Sequence, residues 1–442
     1  MNGSASAFIG SIQAGATPSI AEFVEALGPE IPGLCELEAT PQDPGWHAEG
    51  NVFIHTGMVL DELYELLATR ARGISGHRRT ALILGAALHD IAKPATTKEM
   101  EIQGIRRIAA PRHEMRGRSE LVPLLMSFDL EWRTVELVLD LVGYHVTPKF
   151  LVVKNRDRGA YLRLAQSADP ELLYWLELAD MLGRRCADQA QQVEHIEMFA
   201  MFARDYGAWR RFGDEAPRWR ALFRDALAPL PPTTRDVSYG QFLADLCGGL
   251  ITQPEEGLAR SYRYREPFPE LVVTVGPSGS GKSTWVERHL GDHDRISLDE
   301  IRAELGDRGD QSQNAKVRKL ARDRLREALR RKAKVVWDAT SLRRDFRDAV
   351  TNLARDYGAL VTLVCFPRST RDYQRRNLAR TTPVPAGIVA RQLATMEWPE
   401  AAEAHRALVI GANDELLAYY GGLDEAPPYG LVATDQTVRE PV

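Results

Sequence analysis

Residues 270–284 read ELVVTVGPSGSGKST. Six β-prone, mostly apolar residues run into a glycine-rich loop, and STWVERHL (283–290) continues as a helix. From Gly276 to Ser283 the loop fits G-x-x-x-x-G-K-[ST], in the strand–loop–helix context that gives this pattern its meaning. Its glycines let the backbone turn so that the N–H groups of Gly276, Ser278, Gly279, Ser280 and Gly281 face phosphate oxygens. Lys282 then reaches the outer phosphates of a nucleoside triphosphate. Ser283, followed by Thr284, offers a hydroxyl to Mg²⁺ at a helix N-terminus, whose partial positive charge favours anions. ATP or another nucleoside triphosphate, with Mg²⁺, is the implied ligand.

Downstream, DRISL (294–298), KVVWDAT (334–340) and ALVTLVCF (359–366) are further β-prone runs separated by Arg-rich helical stretches. Strands alternating with helices predict a central parallel sheet with crossover helices. Upstream the pattern changes. FIHTGMVLDELYELL (53–67), RTALILGAALHDIA (79–92), RTVELVLDLVGYH (133–145) and ELLYWLELADMLG (171–183) carry apolar residues at helical spacing, and no alternating strand pattern competes with them. Asp169-Pro170 predicts a helix start, and APLPPTTRD (228–236) is a proline-rich break. The expected architecture is two-domain: an all-α helical domain over 1–232, a connector over 233–266, and an α/β domain with a central parallel sheet over 267–442. The segment 422–442 is polar and proline-containing.

The 442 residues are too many for one ordinary domain, and a hydrophobic fraction of 44% lets each domain bury a core. A net charge of −5 argues against a basic coat over the whole protein, so any nucleic-acid contact must be local. Cys35, Cys186, Cys247 and Cys365 are far apart, which predicts reduced thiols in a cytoplasm. The N-terminus lacks a secretory pattern, and no run approaches the ~18 apolar residues of a membrane helix.

Within the second half, Asp299 follows the strand RISL and can orient an acceptor hydroxyl and take its proton. Arg302, one turn on, can hold an anionic group of the acceptor, although a plain i,i+3 ion pair reads the same way. Asp338 ends a β-run, where an Asp assists the metal or its waters. Arg376 and Arg380 lie one helical turn apart and can close over a triphosphate, unless they belong to a merely solvated basic helix. Together GPSGSGKST, SLDEIR, WDATS and RRNLARTTPVP resemble the kinase module of polynucleotide 5′-kinases over about 267–410. The resemblance implies that Asp299 activates a 5′-hydroxyl, Arg302 contacts the acceptor's phosphate, and Arg376 and Arg380 grip ATP. Ser341 stands where that family carries Asn, which leaves Asp338 less securely matched.

The first half holds His55, the adjacent pair His89–Asp90, His145 and Asp180 on helices or at their ends, with His113 in a polar loop. Imidazole with carboxylate suits Mn, Fe, Co, Ni or Zn. Singly, a histidine on an apolar helix is more often a hydrogen-bonded core residue. A carboxylate such as Asp180 on an apolar face needs a metal, or Arg184 one turn away, to offset its burial. Lys93 can neutralise a substrate phosphate or charge on the leaving group. The set His55, His89-Asp90, Asp180, in HTGMVLDE and HDIAKP, resembles the HD phosphohydrolase superfamily over about 45–200. GWHAEGNVFIHT and ADMLGR are similar to HD modules appended to tRNA nucleotidyltransferases, which implies RNA-end phosphates. His113 and His145 fall where HD enzymes with a second metal carry extra ligands. His47 is read as a substrate contact or as packing, and His77, His195, His289, His293 and His405 as surface residues.

An HD module followed by such a kinase resembles the bacterial bifunctional end-healing enzymes. That implies phosphorylation of 5′-OH ends, clearance of 2′,3′-cyclic, 3′- or 2′-phosphates, RNA or DNA ends as substrates, and a nucleic-acid ligase acting afterwards. A nucleotide or signalling phosphohydrolase fused to a small-molecule kinase is the competing reading.

Overall fold

The structure is a computed structural model and describes residues 3–306, 314–380, 383–424 and 426–440. It divides into two compact units, Met1–Asp214 and Glu215–Val442.

The first unit is mostly helical. Helix Val52–Ala68 starts at Asn51, whose side chain accepts from the Ile54 amide at 2.9 Å, and its buried face carries His55, Val59 and Leu63. Helix Gly76–Leu88 is buried at every position from Thr80 to Leu88 and ends immediately before His89. It lies close to helix Trp132–Tyr144, because a Cβ on Gly85 would stand 2.9 Å from Leu141 Cδ1. Helix Pro170–Leu182 begins as the Asp-Pro pair predicts, with Asp169 accepting from the Leu172 amide at 3.1 Å, and is buried from Leu172 through Met181. Three buried helix segments thus deliver His55, His89-Asp90 and Asp180 to one interior region.

An all-α unit was expected, and this is corrected by a hairpin. Strands β1 (Lys98–Ile102) and β2 (Ile105–Ala109) pair antiparallel, with Ile102 opposite Ile105. Gln103 (φ 53°) and Gly104 (φ 78°) are both left-handed, as a two-residue type I′ turn requires. Charged residues fill half of the ten positions, Lys98, Glu99, Glu101, Arg106 and Arg107, so the apolar period is faint.

The second unit is built on a seven-stranded sheet of order β4-β5-β3-β6-β7-β8-β9. Its strands are β3 (Glu270–Val275), β4 (Asp294–Ser297), β5 (Lys334–Asp338), β6 (Leu360–Cys365), β7 (Arg406–Ile410), β8 (Leu416–Tyr420) and β9 (Val438–Arg439). Strands β4 to β7 and β3 are parallel, as the alternation predicts. The sheet is not wholly parallel, however: β8 returns antiparallel to β7 and β9 pairs with β8. Buried on both faces past Glu270, β3 and β6 read as apolar runs broken only by Thr274 and Thr362, rather than alternating ones. Val272, Val336, Val364 and Leu408 form the core with Trp285 and Phe366.

The division at 214/215 also differs from the expected one at 232/233. Residues 233–266 are not a connector: Pro232–Cys247 and Pro254–Arg260 are helices of the second unit. Pro232 stands in the first turn of its helix, where proline is tolerated, so the PP pair marks a start rather than a break. Val237 packs with Tyr264 and Leu360, and buried Asp236 accepts from Arg406 at 3.2 Å. The polar C-terminal segment is tied in through β9 and through Glu440, whose buried carboxylate pairs with Arg220. His405, expected at the surface, is buried, with Nδ1 accepting from the Val361 amide at 3.0 Å; burial lowers its pKa to about 3. Among the described residues no helix is long and apolar enough to cross a membrane.

Candidate functional site

In the first unit, His55, His89, Asp90, His113, His145 and Asp180 converge. Two sets of three, His55/His89/Asp180 and Asp90/His113/His145, each bring one donor atom per residue within 4.8 Å of the others. The Asp90 carboxylate joins them: Oδ2 is 3.2 Å from His89 Nε2 and Oδ1 is 3.2 Å from His113 Nε2. His55 Nε2 lies 3.0 Å from Asp180 Oδ1. Placing His89 just past a helix end lets it and Asp90 both address this centre.

Three of the four imidazoles point the same atom outward. His89 Nδ1 is 2.8 Å from the Ala86 carbonyl, His113 Nδ1 2.8 Å from Ala110, and His145 Nδ1 2.9 Å from Val142. Each carbonyl accepts from Nδ1 and turns Nε2 toward the centre, so that its lone pair faces a metal whenever the ring is neutral. For His55 the orienting group is Glu49, whose Oε1 is 3.0 Å from Nδ1 and also 2.8 Å from His47 Nδ1. His55 Nε2 and His89 Nε2 are buried with only carboxylate oxygens before them, Asp180 at 3.0 Å and Asp90 at 3.2 Å. Buried lone pairs left this way cost free energy unless a cation takes them. The donor set therefore fits one or two divalent transition metals.

Charge follows the same plan. Burial would raise the Asp90 pKa, but His89, Lys93 and His113 hold it well below the usual carboxylate range. Lys93 Nζ is 2.6 Å from Asp90 Oδ2 and donates to Gln42 Oε1 at 2.7 Å. Asp180 is likewise held low against burial, by Arg184 and His55; Arg184 donates to both carboxylate oxygens at 2.9 and 3.0 Å. Glu177 behaves oppositely: burial and the Asp180 charge push it up to about 8. Burial with His113 and His89 nearby lowers His145 to about 3, which keeps it neutral and available as a ligand. A cavity of about 190 Å³ opens onto the cluster, lined by Asp90, Lys93, His113, His145, Glu177 and Arg184 among others.

In the second unit, the loop after β3 turns into helix Lys282–His289. Gly279 has φ 85° and a Cβ on it would meet the Tyr373 carbonyl oxygen at 2.6 Å, so only glycine fits. Lys282 donates to the Pro277 carbonyl at 2.8 Å and to Ser280 Oγ at 3.1 Å. Burial lowers its pKa to about 8 against the opposing charge of Asp338. Ser283 Oγ is 3.5 Å from Asp338 Oδ1. Asp338 is not free for a metal alone: Arg295 donates to its Oδ2 at 2.6 and 3.0 Å. Asp299, largely exposed, pairs with Arg302 at 2.7 Å in the first turn of helix Leu298–Leu305. Arg376 Nη1 stands 3.4 Å from where a Cβ on Gly281 would be, and Arg380 is exposed. Ser341 adopts φ 44°, a left-handed conformation that Asn takes more readily than Ser.

Residues 271–399 match the AAA domain family. The second unit thus carries a P-loop module of the nucleoside-triphosphate-binding kind, on a mostly parallel sheet. Among solved structures, a gluconokinase from Sinorhizobium meliloti 1021 is 22% identical with a TM-score of 0.26. That alignment covers 33% of this chain and 84% of the other, a likeness too distant to carry an argument. No curated protein matches the chain.

Several site residues escaped the sequence. Glu177 lies three residues before Asp180 on one helix, so helical spacing could have found it. Glu49 and Gln42 sit in loops, where no period ties them to the centre. Gln392, in helix Ala386–Ala394, accepts the Ser278 amide at 2.8 Å, a contact across 114 residues with no local signal. Arg368 was only one of several arginines; it is buried, donating to the Pro367 and Ile410 carbonyls at 2.7 and 2.6 Å.

Proposed function

We propose that this protein heals broken nucleic-acid ends. The second unit transfers the γ-phosphate of ATP to a 5′-hydroxyl. The first, an HD-type phosphohydrolase, removes 2′,3′-cyclic, 3′- or 2′-phosphates. What supports the first-unit reading is one observation: Asp90 spans two sets of inward-facing Nε2 atoms, beside Lys93 and Arg184, at the floor of an open cavity.

On the kinase side, Lys282 and the loop amides hold the phosphates, Ser283 and Asp338 serve Mg²⁺, and Asp299 takes the proton of the acceptor hydroxyl. Arg302 holds the acceptor's phosphate. Arg376 and Arg380 neutralise charge on the transferred group. On the other side, His55, His89, Asp90, His113, His145 and Asp180 would hold Mn, Co, Ni, Fe or Zn. Such an ion polarises a phosphoryl oxygen and lowers the pKa of a bound water. Lys93 holds negative charge on the phosphate, and Arg184 keeps Asp180 ionised.

Adding and removing phosphate at one position would only burn ATP. Acting on opposite sides of a break, the two activities leave a 5′-phosphate and a free hydroxyl, which a ligase can seal. RNA or DNA ends are thus the partners. The discriminating assay labels a 5′-OH oligonucleotide with [γ-³²P]ATP. A small-molecule kinase would ignore that acceptor.

A further inference from the structure

We infer that the rim of the first-unit cavity is a nucleobase subsite, in which Trp46 and Phe150 receive the base of the terminal nucleotide. The inference rests on the phosphohydrolase reading and deepens it. Both rings line the cavity that opens onto the metal-ligating cluster. Both are unusually bare for large apolar side chains, at 38% exposed for Trp46 and 43% for Phe150.

Each ring is also held in place by charge. The Arg107 guanidinium stands 5.0 Å from the Trp46 ring centroid. Arg107 is pinned in turn by Asp43 at 2.8 Å, and Asp43 accepts the Gly45 amide at 3.0 Å and the Ile108 amide at 3.2 Å. A Cβ at position 45 would stand 2.4 Å from Arg107 Nη1, so a side chain there would displace the guanidinium. So the hairpin strand β2 and the loop before helix Val52–Ala68 together fix one face of the indole. Phe150 sits in helix Thr147–Val153, with Lys154 Nζ 4.8 Å from its ring.

The lining therefore sorts by chemistry. Asp90, Asp180 and His145 are its buried part, Lys93 and Lys149 are half-buried, and the Trp46 and Phe150 rings are exposed. A phosphate ester whose leaving side bears a flat, aromatic group matches that order. Every base has a π-face, so such a platform accepts nucleotides without reading sequence.

The test compares two oligonucleotides, one ending in a nucleoside 3′-phosphate and one ending in an abasic sugar 3′-phosphate. Stacking worth ~1–3 kcal/mol per base converts to a roughly 5- to 150-fold effect. Trp46→Ala and Phe150→Ala are expected to raise KM at least about 5-fold on the base-bearing end, with the rise confined to that end, and Trp46→Phe to restore most of it. Equal losses on both ends, or no change on either, would overturn the subsite. So would a wild-type protein that prefers neither end. A wild type that cleaves neither end overturns the phosphohydrolase reading, and the subsite with it.

Discussion

The Nε2 atoms of His113 and His145 face each other at 3.2 Å. Each ring's Nδ1 is committed to a backbone carbonyl, so both Nε2 atoms present lone pairs, and two lone pairs at that distance repel. A cation bound between them removes the conflict. Protein reconstituted with Mn²⁺ or Zn²⁺ and passed through a desalting column is therefore expected to retain metal. His113→Ala, His145→Ala and Asp90→Ala should each lose bound metal by elemental analysis. Full retention in all three would place the metal elsewhere.

Glu49 touches no proposed substrate, yet it holds the Nδ1 side of His55. Outer partners of this kind are worth ~10–100-fold in metal affinity. Glu49→Ala should weaken metal binding by about that factor in a titration, and Glu49→Gln by less, since an amide oxygen can still accept. Unchanged affinity in Glu49→Ala would assign the carboxylate to His47 alone.

Glu177 supplies a pH signature. Its folded pKa is raised, from an ordinary 4.5 to about 8, chiefly by burial. Between those values the folded state keeps a proton that the unfolded state has released. Its contribution to stability is thus present below 4.5 and is lost as pH rises through 8. Glu177→Gln removes the titration. The variant should melt close to wild type at pH 5 and measurably above it at pH 9, in metal-free protein. A constant difference across that range would contradict the assignment.

Lys282→Ala deletes the one ammonium the phosphate loop holds. Removing such a preorganised charge costs on the order of 100-fold or more in phosphoryl transfer. The expected result is loss of 5′-labelling with 3′-phosphatase intact, read from the two assays on one preparation. Joint loss of both would show that the activities are not carried separately.

How legible all this was depended on how local each signal is. The phosphate loop is contiguous, so its residues and the strand before it could be read directly, and β3, β5 and β6 announced themselves as apolar runs. The hairpin 98–109 did not, because Glu99, Glu101, Arg106 and Arg107 mask its alternation. Pro231-Pro232 imitated a linker and instead opens a helix of the second unit. His55, His89-Asp90 and Asp180 were visible as polar interruptions of apolar helices. Glu49 was not, since a residue that merely orients a ligand needs no particular spacing. The role of Asp338 was legible only in part: its strand-end position was plain, but Arg295, which holds it, lies 43 residues away.

The most direct measurement uses one RNA carrying a 5′-hydroxyl and a 2′,3′-cyclic phosphate, incubated with ATP, Mg²⁺ and Mn²⁺, its ends resolved by mass spectrometry. Wild type should yield a 5′-phosphate and a terminal free of cyclic phosphate, Asp299→Ala only the second change, and Asp90→Ala only the first. An RNA recovered with both ends unaltered, from protein shown to bind ATP and metal, would contradict end healing.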